Sequence, residues 1–153
     1  AMGSVYYTGQ QFDKAIEAFT KYRNVETNAK NKKSAEKLIA TSYVQLGAAA
    51  KKDGKYDKAI ELYQEAVKIF PLDRAYISMA EAYNELGKYD LSLQAADNAN
   101  NNRDKVSKGE VAYYKGLAFR GKGDIEKAKE SFQQGLSDSR FGELCKYQLN
   151  LTK

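Results

Sequence analysis

The 153-residue chain has no histidine and no tryptophan, and only one cysteine and one proline. Without imidazole it holds no Ser-His-Asp or Cys-His constellation and none of the common imidazole metal sites. Cys145 alone forms no internal disulfide and leaves zinc without a ligand set, so no cofactor or metal is expected. A single thiol fits a reducing compartment and is compatible with the bacterial periplasm, so the compartment stays open between the two. No run of about 18 apolar residues reads as a membrane-spanning helix. The scarcity of proline leaves long stretches uninterrupted, and the frequent Ala, Lys, Glu, Leu and Gln are good helix formers. These residues predict an all-α protein. Its 42% hydrophobic content, against 29% charged, suffices for one domain with its own core.

Charge of one sign is also scarce. The 25 basic and 20 acidic residues are interleaved, so the formal net charge of +5 is thinly spread. The densest basic run, Lys30, Lys32, Lys33 and Lys37 in "KNKKSAEK", reads as a solvated bend. No aromatic residues alternate with those lysines as a stacking platform requires, which disfavours nucleic acid as a partner. "GLAFRGKG", Gly116 to Gly123, falls short of a phosphate loop because Gly123 stands where Ser or Thr must follow the lysine. Carboxylate pairs such as Glu61 with Glu65 and Glu126 with Glu130 lie one helical turn apart and read as solvated surface charge. The chain is not expected to be an enzyme.

What is present is repetition. "FDKA" at Phe12 to Ala15 returns as "YDKA" at Tyr56 to Ala59, "YDLS" at Tyr89 to Ser92 and "IEKA" at Ile125 to Ala128, with closing residues 44, 33 and 36 apart. Asp13, Asp57, Asp90 and Glu126 each fall at a helix start, where a carboxylate meets free backbone N–H groups and the positive end of the dipole. Gly54, Gly87 and Gly123 stand just before their anchors and let the preceding helix end with positive φ. Each unit is predicted as helix, tight turn, helix. Spacings of three and four put Tyr43, Leu46, Gly47 and Ala50 on one face of a first helix, and Ala59, Tyr63 and Ala66 on one face of the second. Small Gly47 and Ala59 let the two helices approach closely, and each pair must stack on the next to hide the rest of its apolar surface.

The second unit, Tyr43-x2-Leu46-Gly47-x2-Ala50, Ala59-x3-Tyr63 and Pro71, resembles the tetratricopeptide repeat signature W-x2-L-G-x2-Y, A-x3-F, P of about 34 residues. The third keeps the frame with Tyr76, Met79, Ala80, Tyr83, Gly87, Ser92, Ala96 and Ala99. The fourth keeps it with Gly116, Phe119, Gly123, Ala128 and Phe132. The resemblance implies a right-handed superhelical solenoid of about 3.5 to 4 repeats. Its expected units span 5–30, 34–71, 73–104 and 107–140, followed by a terminal helix at 142–153. Residues 1–4, "AMGS", read as a cloning remnant, which makes 5–153 the domain and places any native signal or anchor outside it. The 44-residue step after the first unit predicts helices extended on both sides of "NAKNKK". Cys145, beside Leu144, Tyr147, Leu149 and Leu151, reads as a small buried hydrophobe.

In this family the first helix of each pair lines a concave groove that receives an extended peptide or a partner helix. Carried over, the groove comprises Val44, Gln45, Ala48 and Lys52 in the second unit, and Arg74, Ile77, Ser78 and Glu81 in the third. Tyr113, Tyr114, Leu117 and Arg120 complete it in the fourth. Members that bind chaperone tails hold a terminal carboxylate with inward lysine, asparagine and arginine. The matching places here are Val44, Ala48, Ser78, Glu110 and Tyr114, where Glu110 has the wrong charge, so a chaperone-tail adaptor is disfavoured. The resemblance points to a non-catalytic protein-interaction module acting as scaffold or adaptor, its protein or peptide partner unnamed. The alternatives are a self-assembling homo-oligomer, with the incomplete first pair receiving the terminal helix of another copy, and a regulatory domain of a larger enzyme.

Overall fold

A computed structural model describes residues 2–152. The described residues form nine helices and no strand: α1 (Met2–Thr8), α2 (Phe12–Val25), α3 (Ala29–Lys52), α4 (Tyr56–Ile69), α5 (Asp73–Glu85), α6 (Tyr89–Asn101), α7 (Lys108–Gly121), α8 (Ile125–Gly135) and α9 (Gly142–Leu151). Consecutive helices pack on one another as pairs α1/α2, α3/α4, α5/α6 and α7/α8, with α9 against α8. Contacts between α3 and α5 and between α5 and α7 stack the pairs. No helix among the described residues is long and apolar enough to cross a membrane.

Every pair turns in the same way. Lys55 N–H donates to Ala50 and Gly54 N–H to Lys51. The same two bonds recur as Lys88 to Tyr83 with Gly87 to Asn84, and as Asp124 to Phe119 with Gly123 to Arg120. The geometry requires a left-handed residue, and the three glycines supply it with φ of 75°, 68° and 82°. The first pair makes the same two bonds, Gln11 to Tyr6 and Gln10 to Tyr7, with Gln10 at φ 57°. A side chain with a Cβ is strained there, at about 1–2 kcal/mol.

The seam of each pair is a missing side chain under a ring. A Cβ on Gly47 would stand 2.4 Å from the Tyr63 ring, and one on Gly116 2.5 Å from Phe132. Gly3 stands in the same relation to Phe19, where a Cβ would come within 2.6 Å. Residues 2–4, set apart in the sequence reading, are thus built into α1, with Gly3 buried. The third pair replaces ring and glycine by Ala96 and Ala80, both fully buried, and Ser92 Oγ donates to the Ala80 carbonyl at 2.8 Å.

Three local expectations are corrected. Lys30 to Lys37 is no bend: Asn28 accepts from the N–H groups of Lys30 and Asn31 and starts an unbroken 24-residue α3. Only α3 is lengthened, because α2 has 14 residues, as α4 has. The anchor carboxylates also do not cap their own helices. Lys88 Nζ donates to Asp57 at 3.2 Å and Lys122 Nζ donates to Asp90, so these two acids pair with a lysine of the following unit, while Glu126 pairs with Lys129 of its own helix at 3.6 Å. Asp57 and Asp90 are exposed, which limits each pair to about 0–1 kcal/mol.

Candidate functional site

The three complete first helices, α3, α5 and α7, lie side by side and form one face of the stack. Helical spacing brings every third or fourth residue of each onto that face. Gln45, Ala48 and Lys52 are exposed on α3. Arg74, Ser78 and Glu81 are half-buried on α5, as are Tyr113, Tyr114, Leu117 and Arg120 on α7.

Val44 and Ile77 are not on the open surface. They are 5% and 1% exposed and belong to the central core, because lateral contact between adjacent first helices covers the position they share. Spacing alone places them one step from Gln45 and Ser78 and does not reveal that the neighbouring helix closes over them.

Polar groups along the face are largely paired across helices. Lys51 Nζ donates to Glu81. Arg74 embraces Glu110 with both guanidinium nitrogens, Nη2 to Oε2 at 3.2 Å, and Arg140 Nη2 reaches the same carboxylate at 3.4 Å. Glu110 is buried, so the position where a carboxylate clamp would need a cation is instead a neutralised carboxylate. At the far end Arg120 donates to Gln148 of α9.

The two tyrosines form an aromatic cluster. Their rings meet edge to face at 5.3 Å between centroids, and Phe141, at the entry to α9, lies 5.5 Å from Tyr113 and 6.1 Å from Tyr114. Asn84 Nδ2 donates to the Tyr114 carbonyl at 3.0 Å, which ties α5 to α7. Burial pushes the Tyr114 phenol above its ordinary range, and the carboxylates of Glu81 and Glu110 reinforce the shift. Tyr113 and Tyr114 are therefore wall and support at once. Phe141 escapes the repeat pattern because it lies in the loop between α8 and α9.

At one rim, between α3, α5 and the loop after α6, a recess of about 220 Å³ is lined by Lys37, Thr41, Gln45, Arg74 and Lys105. Asp73 builds it. Its Oδ2 accepts from the N–H groups of Asp104, Lys105 and Val106 at 2.6–2.7 Å, and Oδ1 from Arg74 N–H at 2.8 Å. Burial would raise this carboxyl, but the four N–H groups outweigh it and hold the group below the usual carboxylate range. The sequence signal is slight: an acid on the first helical residue after Pro71-Leu72, before a loop with no helix-forming pattern of its own.

Tetratricopeptide repeat models match residues 40–71 and 110–137. Hsp70-Hsp90 organizing protein 3 of Arabidopsis thaliana is 31% identical over 83% of this chain, which spans 25% of that relative's length. The first TPR domain of human RPAP3 superposes with a TM-score of 0.68 at 21% identity, over 76% of this chain and 91% of that domain. The first TPR of Spaghetti (RPAP3), solved with the HSP90 peptide SRMEEVD, superposes with a TM-score of 0.65 at 22% identity, over 74% and 89%. Paired helices closing on a glycine under a ring, glycine-broken turns and these matches agree: the chain belongs to the tetratricopeptide repeat family.

Proposed function

We propose that this chain is a non-catalytic interaction module that holds an extended segment of a protein partner along the face formed by α3, α5 and α7. The observation that carries the reading is the run of open or half-open positions Gln45, Ala48, Ser78, Glu81 and Leu117 across three helices, ending on the Tyr113/Tyr114 wall. Small Ala48 and Ser78 leave room for a backbone, Gln45 and Ser78 offer hydrogen bonds, and the tyrosines offer rigid amphipathic contact. A similar fold bound to a peptide, in the Spaghetti structure, supports a peptide as the kind of ligand.

The partner differs in kind from an acidic chaperone tail. The clamp places hold Val44, Ala48, Ser78, Glu110 and Tyr114, of which Val44 is buried and Glu110 is a carboxylate already committed to Arg74 and Arg140. The segment that fits is mainly uncharged, with an apolar or aromatic side chain for the tyrosine end.

The test is selection of binders from a displayed library of random peptides. Ala48→Arg fills the middle of the face without touching the core, and is expected to weaken selected binders about tenfold or more, or about 1.4 kcal/mol. Glu61→Arg on exposed α4 is expected to leave them unchanged. Binders indifferent to Ala48→Arg but lost with Glu61→Arg would place the site elsewhere.

A further inference from the structure

The rim recess and the lysine-rich run belong to one surface. α3 has 24 residues where α5 has 13 and α7 has 14, and the excess lies in its first half, before the seam at Gly47. Steps of three and four residues carry the face positions Lys52, Ala48 and Gln45 back along α3 to Thr41, Lys37, Lys33 and Lys30. The extension therefore prolongs the candidate face beyond what α5 and α7 can match, and its stripe holds three exposed lysines and no carboxylate. The loop after α6 adds a fourth cation at the same edge, because exposed Lys105 stands with Lys37, Thr41, Gln45 and Arg74 around the recess.

The acids at this edge are already engaged. Asp73 is filled by its four N–H donors, and Asp104 accepts from Lys37 Nζ at 3.1 Å. That ion pair is about half exposed on both sides, so an incoming carboxylate exchanges for Asp104 readily. Among the described residues Lys30, Lys33 and Lys105 make no ion pair.

We propose that the partner segment carries a run of acidic side chains just beyond the part held at Gln45, Ala48 and Ser78, and that Lys30, Lys33, Lys37 and Lys105 receive it. This rests on the reading of the α3, α5 and α7 face as a peptide site, and it leaves the middle of the segment uncharged. The rise from Lys30 to Thr41 is about 16 Å, which matches about five residues of extended chain. A nucleic acid is the poorer fit: the stripe from Lys30 to Gln45 offers no aromatic ring for a base to stack on, whereas a peptide seated on the face is led directly onto the lysines.

The test takes a library-selected peptide that binds the native chain and loses affinity with Ala48→Arg, and extends it by a short run of glutamates at either end in turn. One of the two extensions is expected to tighten binding about tenfold at low salt, and the gain to shrink below about twofold at 0.5 M salt. A neutral Gly-Ser extension is expected to add nothing. The exposed-site variant Lys30→Glu/Lys33→Glu/Lys105→Glu is expected to bind the parent peptide as the native chain does and to lose the gain. If the parent peptide binds as described and neither glutamate extension tightens it, the acidic run is refuted while the peptide face stands. Selected peptides that are all indifferent to Ala48→Arg overturn both readings. A single-stranded oligonucleotide that binds more tightly than the extended peptide, and is lost in the triple variant, would assign the lysines to nucleic acid and overturn the proposal.

Discussion

Tyr63→Ala is expected to lower the unfolding free energy by about 3–5 kcal/mol, read as a fall in Tm of about 8–16 °C for a domain of this size. The ring is fully buried, and it fills the space that Gly47 leaves open between α3 and α4. Alanine leaves a cavity at the centre of the largest core cluster, which α3 to α7 share. Relaxation into that cavity is limited because Ala59, Ala66, Ala80 and Ala82 of the same cluster are fully buried and already small. Tyr63→Phe separates the ring from its hydroxyl. The Tyr63 Oη is buried without a hydrogen-bond partner: Ser78 lies nearby, but no bond of acceptable geometry forms. Burial, with the Glu81 carboxylate adding to it, pushes the phenol up to about 12. Removing that oxygen is expected to gain about 1 kcal/mol. A Tyr63→Phe variant as destabilised as Tyr63→Ala would mean that the hydroxyl, not the ring, supports the seam.

Asp73→Ala is expected to cost about 2–4 kcal/mol, checked by denaturant unfolding. One carboxylate gathers four backbone N–H groups and pins the loop after α6 to the start of α5. Alanine leaves those donors without an acceptor, the buried Val106 N–H among them. The same carboxylate sets an acid limit. Its folded value lies below the ordinary 3.8, so its stabilisation is complete above about pH 4 and is lost as pH falls through the lower folded value. The native chain should therefore lose stability more steeply below pH 4 than Asp73→Ala does. Parallel acid profiles would assign the acid sensitivity to other groups.

The difference between these two residues shows what the sequence discloses. Tyr63 is legible because it sits four residues after Ala59 in a repeated phrase, and the period fixes its face. The turn glycines are legible because only a residue with positive φ ends each first helix as these end. Asp73 is not, since its partners lie thirty-one to thirty-three residues away in an irregular loop. The unbroken α3 was hidden for another reason: a lysine-rich run suits a solvated bend and a capped helix start equally well, and the Asn28 cap decides between them. At the candidate site the period names the correct helices but not the correct depth. Gln45, Ala48 and Ser78 are reachable, whereas Val44 and Ile77 beside them are covered by the packing of adjacent pairs. The tyrosine pair is similar. Its contacts with Phe141 depend on how α9 closes the stack, which no repeat period encodes.

Because Tyr113 and Tyr114 also support α9, truncating them confounds binding with folding, and a direct map of the occupied face is more informative. The amide spectrum of the isotopically labelled chain, titrated with a library-selected peptide, supplies that map. The account predicts that the largest shifts fall on Gln45, Ala48, Ser78, Glu81 and Leu117, with the outer residues of α4, α6 and α8 unmoved. Shifts concentrated on those outer helices would contradict it.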